Sequence, residues 1–207
     1  MQATLRVAGP VGVLEVAVSE PTSHPPRALA LLCHPHPLHG GTMDNKVVQT
    51  LAKAALDVGA VALRFNFRGV GGSEGRFDHG LGETEDASAV LAWARERFGA
   101  LPLLAGGFSF GAYVWTRLLA REQPQAIVLV GPAVGRFEVG TVPEHSVVIH
   151  GEADEVVPLA DVLDWARPQG LPVVVFPGVG HFFHGQLAPL RRVVRAAFAA
   201  RLAETDP

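Results

Sequence analysis

Ser109 sits between two glycines in the run Gly107-Phe108-Ser109-Phe110-Gly111. A serine hydroxyl is a weak nucleophile at neutral pH and becomes a strong one beside a base that an acid orients. Both partner types follow further along the chain. Residues 152–158 read Glu152-Ala153-Asp154-Glu155-Val156-Val157-Pro158 and offer three carboxylates, while residues 177–184 read Pro177-Gly178-Val179-Gly180-His181-Phe182-Phe183-His184 and offer two imidazoles. Serine, acid and histidine in that order are the parts needed for acyl transfer. Taken one at a time, the same residues also fit a Gly-rich turn, a helix-capping aspartate ahead of Pro158 and an ordinary loop histidine.

A different chemistry is suggested by His34-x-His36-x-x-His39, which imitates the His-x-His-x-Asp-His zinc loop of metallo-β-lactamase-like hydrolases. Leu38 stands where that loop needs its aspartate, and Pro35 and Pro37 restrict the backbone. Cys33 lies inside an apolar run, where it reads as a small buried hydrophobe and not as a nucleophile. The expectation is therefore a site with no metal and no cofactor.

These residues need elements to hold them. Short continuous apolar runs alternate with stretches of helical period. Leu5–Val7 and Val11–Val18 read as two edge strands about a Gly9-Pro10 turn, with Leu14, Val16 and Val18 on one face. Strands are then predicted at 28–33, 60–65, 101–107, 126–131, 146–151 and 171–176. Helices are predicted from Asp44 or Asn45 to about Val58, over Glu83–Phe98, over 110–122, over about 158–167, and over 186–203 with Leu187, Leu190, Val194 and Phe198 on one face. Such alternation predicts a mostly parallel sheet covered by helices on both sides. In open parallel sheets, chemistry gathers in the loops leaving the carboxyl ends of the strands. Ser109, the 152–155 carboxylates and His181 all fall in such loops. No linker or repeat divides the chain, so residues 1–207 are expected to form a single domain.

The chain resembles the α/β-hydrolase-fold serine hydrolases. It is most similar to small lidless bacterial members, through CHPHPLHGGTMDNKVV, NFRGVGGSEG, GGFSFGAY, HGEADEVVP and GVGHFF. The resemblance implies a three-layer αβα sandwich on an eight-stranded sheet in which only the second strand is antiparallel. It implies Ser109 as nucleophile on a strand-to-helix elbow, Asp154 as the acid through the G-x-x-D-x-x-V-P pattern, and His181 as the base through Gly178-Val179-Gly180-His181-Phe182-Phe183. It implies an oxyanion hole of backbone N–H groups, one from Phe110 and one from His36, with Leu38 as second choice for the latter. Arg68 and Ser73 are expected to be architectural, Arg68 by bonding neighbouring carbonyls; His34 is expected to brace its loop, and Asp78 and His79 to be solvated. Leu38, Met43, Phe108, Phe137 and Phe182 are candidate substrate contacts. A carboxylesterase acting on small or short-chain esters is implied, with thioester, amide or peptide cleavage, or an inactive binding protein, as alternatives.

Composition narrows the partners. Of 207 residues 48% are apolar and 18% charged, enough for a substantial core and too apolar for a disordered chain. Seventeen scattered basic residues and a net charge of −3 form no stripe for a phosphate backbone, so no nucleic-acid partner is expected. One cysteine excludes an intramolecular disulfide. The opening residues lack a signal-peptide pattern and no window reads as a membrane span, so the expectation is a cytoplasmic protein with no membrane partner. A monomer or homodimer acting on a small-molecule ester is expected. Arginine outnumbers lysine 15 to 2, which points to a GC-rich bacterial genome. Residues 131–145 are too few for a helical cap, so an open site is expected.

Overall fold

The computed structural model describes residues 2–203. Among them, eight strands form one sheet: β1 (Gln2–Gly9), β2 (Gly12–Ser19), β3 (Ala28–Cys33), β4 (Ala60–Phe65), β5 (Leu103–Phe108), β6 (Ala126–Val130), β7 (Ser146–Gly151) and β8 (Val173–Phe176). Their order is β1-β2-β4-β3-β5-β6-β7-β8, and β2 alone runs against the rest, antiparallel to both β1 and β4. The helices are α1 (Lys46–Asp57), α2 (Leu81–Phe98), α3 (Phe110–Leu118), α4 (Leu159–Ala166) and α5 (Leu187–Ala203), with short 3-10 turns at Pro37–His39 and Arg167–Gln169. This is the α/β-hydrolase fold. No helix among the described residues is long and apolar enough to cross a membrane.

The run ALALLC shows why the central strands are continuously apolar. Alternate side chains leave opposite faces of a strand. Leu29, Leu31 and Cys33 enter the core beneath α2 and α3, while Ala28, Ala30 and Leu32 enter the one beneath α1 and α5. With both faces covered, every position of this run meets a core. A third, smaller cluster packs Val162 and Ala166 of α4 against Val148 of β7.

Several boundaries differ from the sequence expectation. Of the first two strands only β1 lies at an edge; β2 is interior, pairing Val16 with Phe65 of β4. Helix α2 begins at Leu81, not Glu83, because the Glu83 carboxylate reaches back to accept from the Gly80 and Asp78 amides and so occupies the third helical position. Helix α3 stops at Leu118 and β8 spans only Val173–Phe176. Asn45 caps α1 by accepting from the Val47 amide, as the sequence suggests.

Candidate active site

At the end of β5 the chain turns into α3 at Ser109, whose φ of 54° and ψ of −114° place a non-glycine residue in strained backbone. The flanking glycines make room for it. A Cβ on Gly107 would lie 2.6 Å from the Gly111 oxygen, and one on Gly111 would lie 2.2 Å from the Cys33 oxygen, inside any tolerable contact. The Ser109 amide donates to the Val130 oxygen at 2.9 Å, which ties the elbow to β6. Phe110 opens α3, and its amide belongs to the first turn, where N–H groups have no intrahelical acceptor.

The loop after β7 sorts its three carboxylates by what they reach. Asp154 is buried; its Oδ1 accepts from the Val156 and Val157 amides at 2.9 and 2.8 Å, and its Oδ2 accepts from His181 Nδ1 at 2.7 Å. Glu152 and Glu155 instead accept from backbone amides, those of Gly178 and His181, and hold the histidine loop. Burial works to raise the Asp154 pKa. Bonds from His181 and from the Val157 and Val156 amides outweigh it and hold the carboxyl below the usual range, so it stays ionised beside the imidazole. His181 is 2% exposed and its ring lies on Phe108, with centroids 4.9 Å apart. His184 is exposed and contributes no contact to this group.

One neighbour was not singled out from sequence. His150, the penultimate residue of β7, is fully buried, with Nε2 2.9 Å from the Val157 oxygen and 3.3 Å from Asp154 Oδ2. The signal that could have found it is a polar residue inside an otherwise apolar strand, four positions before the acid.

A cavity of about 570 Å³ opens above Ser109, and His181, Phe110 and His36 line it with Phe137 and Phe182. The other three candidate contacts do not. Phe108 is fully buried beneath His181, because it ends β5 pointing into the core. Met43 is 5% exposed and held by its backbone to Asn66 and Arg64. Leu38 is 68% exposed on the 3-10 turn, and its amide already donates to His36 Nδ1, which removes it as the second oxyanion donor. Pro35 and Pro37 carry no N–H, and His36 lines the cavity, which leaves its amide as the candidate donor of residues 35–38.

The flanking residues behave as scaffold. His34 is buried; Nδ1 donates to the Pro35 oxygen and Nε2 accepts from the Phe67 amide, so both ring nitrogens are engaged within the protein. Arg68 is architectural as expected, but through a different partner. It bonds not carbonyls but the Asp86 carboxylate, through Nε at 3.0 Å and Nη2 at 2.8 Å, in a buried pair that ties the loop after β4 to α2. Ser73 bridges the Asn66 oxygen and the Glu15 amide. Asp78 and His79 are exposed. Burial pushes the Cys33 thiol far above its usual pKa, which leaves no reactive thiolate there.

Comparison with known proteins matches residues 24–162 to the family described as serine aminopeptidase, S33. A solved α/β serine hydrolase from Xanthomonas campestris, XC6422, described as lacking a lid, is 40% identical and superposes with a TM-score of 0.91, covering 96% of this chain and 94% of that one. An α/β serine hydrolase homologue from Coxiella burnetii is 39% identical with a TM-score of 0.84, covering 94% and 96%. RP471 of Rickettsia prowazekii is 38% identical over 190 residues, 84% of this chain and 79% of that protein.

Proposed function

Because this chain belongs to the serine aminopeptidase S33 family of α/β serine hydrolases, and so is a hydrolase, we propose that Ser109, His181 and Asp154 act as its catalytic triad and that it cleaves small, water-accessible esters. The 207 residues then work as one hydrolase domain. The observation that carries the reading is the 2.7 Å His181–Asp154 bond at the rim of a cavity that also holds a strained Ser109.

The His181 ring takes the proton from Ser109 as Oγ attacks the acyl carbon. Asp154 holds the Nδ1 proton and stabilises the imidazolium that forms. The N–H groups of Phe110 and His36 bond the oxyanion of the tetrahedral intermediate, which collapses to an acyl-enzyme as His181 returns the proton to the departing alcohol. Water, deprotonated by the same ring, then attacks the acyl-enzyme and frees the acid. Ester substrates are favoured over peptides with a free amino terminus. An α-ammonium group needs a carboxylate to bind it, and none lines the cavity among the described residues. The connection between β6 and β7 forms no helix, which supports short or water-soluble substrates over buried lipids.

Intact mass after incubation with a fluorophosphonate tests the nucleophile. One adduct is expected on the wild type and none on Ser109→Ala. The variant should lose at least roughly a thousandfold in kcat on p-nitrophenyl butanoate while keeping its fold. No adduct on folded wild type would remove Ser109 from this role, and a rising rate toward long-chain esters with interfacial activation would overturn the substrate class.

A further inference from the structure

The cavity above Ser109 has one permanently charged side chain on its wall, Arg136. Its walls carry the imidazoles of His36, His39 and His181 and one guanidinium, that of Arg136, with no aspartate or glutamate among the described residues that line it. The chain as a whole has 20 acidic against 17 basic residues, so this wall runs opposite to the average surface. Three carboxylates stand close to the wall without lining it: Asp154, buried with both oxygens occupied by amide and imidazole nitrogens, Glu155, which accepts from the His181 amide, and Asp161, whose Oδ2 lies beside Gly135.

Arg136 is held in place without being neutralised. Its Nε and Nη2 donate to the Val156 oxygen at 3.3 and 3.0 Å, which docks the guanidinium on the loop that carries Asp154. An isolated bridge between Val134 and Phe137 pins the chain on either side. A carbonyl fixes the fork but cancels none of its charge, and a guanidinium has five N–H donors of which this arrangement uses two. The remaining donors have the planar spacing that matches a carboxylate. Phe137, next in sequence, lines the same cavity and stacks on Tyr113 at 4.8 Å, so the wall that presents Arg136 is packed against α3.

Resting on the assignment of Ser109 as nucleophile, we propose that this cavity selects esters that bear a carboxylate, with Arg136 as the residue that binds it. The preferred substrates are half-esters of dicarboxylic acids, or esters of carboxylate-bearing alcohols, over neutral esters of the same length.

The test compares kcat/KM for p-nitrophenyl hemiadipate and p-nitrophenyl hexanoate, which have acyl chains of equal length. A second pair, 4-(butanoyloxy)benzoate and 4-methylphenyl butanoate, places the carboxylate on the alcohol side. In the wild type at least one anionic member should exceed its neutral partner. Arg136→Met should lower that anionic-to-neutral ratio roughly three- to tenfold, and Arg136→Glu should lower it further. Raising sodium chloride from 50 to about 500 mM should lower the ratio on wild type alone, since a partly exposed pair is screened. General damage to the fold reduces both members of a pair together and leaves the ratio in place, so the ratio reads the charge. Ratios below one in both pairs, or a ratio that neither Arg136→Met nor salt changes, would overturn the carboxylate selectivity while leaving the esterase reading intact. No turnover of any ester, together with no fluorophosphonate adduct, would instead remove the reading on which it rests.

Discussion

Asp154 Oδ2 faces two imidazoles, His181 at 2.7 Å and His150 at 3.3 Å. His150 Nε2 also lies 2.9 Å from a carbonyl oxygen, so that nitrogen bears the proton and donates; Nδ1 has no partner among the described residues. Burial lowers the His150 pKa, with its bonds to Val157 and Asp154 opposing, so the ring is neutral at neutral pH and serves Asp154 as a dipole and not as a charge. A donor shared with the triad carboxylate draws electron density from it. His150→Phe should therefore leave Asp154 more basic, move the acid limb of the kcat/KM profile to higher pH and lower kcat a few-fold. The profile on p-nitrophenyl butanoate reads this. A lowered rate with the acid limb unmoved would assign His150 to packing alone.

At the scale of the element, the elbow depends on how closely α3 approaches β3 and β5. Trp115 of α3 donates its indole N–H to the Leu31 and Gly106 oxygens at 3.1 and 3.0 Å, so the helix rests on the strand backbones. Gly111 lies on the same contact, and a methyl there would sit 2.2 Å from the Cys33 oxygen. Backbone cannot yield as a flexible side chain can. Gly111→Ala should therefore cost roughly 1–3 kcal/mol of stability or more, and slow fluorophosphonate labelling, because Ser109 moves with the helix. Denaturant unfolding and the labelling rate measure the two effects. An alanine variant with wild-type stability would show that the helix can shift freely. Gly-x-Ser-x-Gly thus encodes a distance between elements, which is why its glycines are legible in sequence while the close contact with Cys33 is not.

For the whole molecule, acid should be destabilising, and the sign follows from buried groups. Burial, opposed by the bond to Pro35, lowers the His34 pKa from 6.5 to about 4. The unfolded chain then binds more protons than the native one between those values. Stability is fully present above about pH 6.5 and is lost as the pH falls toward 4, by up to roughly 3 kcal/mol for this residue. His150, lowered from 6.5, acts in the same direction over this range, and Asp154, lowered from 3.8, adds to the loss only at still lower pH. Urea midpoints measured from pH 7 to 4.5 should fall, and His34→Gln should flatten that fall although it is less stable at pH 7. An equally steep fall in the variant would place the acid sensitivity elsewhere.

The sequence by itself determined the strand and helix alternation, the two-sided burial of runs such as ALALLC, and the strand-end loops that hold Ser109, Asp154 and His181. Those features are local, since turn sterics and side-chain periodicity act over a few residues. Among the three neighbouring carboxylates the family resemblance pointed to Asp154, and the fold brings that one to the His181 ring; the tertiary structure decided that Phe137 and Phe182 face the cavity while Phe108 and Met43 are buried. It also decided that Arg68 pairs with Asp86, that His150 shares Asp154, and that Arg136 reaches the cavity wall. Each of these is set by strand register and by how the loops fold over the sheet edge. Side chains of one type are alike in composition and periodicity, and packing against distant elements separates those that reach the site from those that do not.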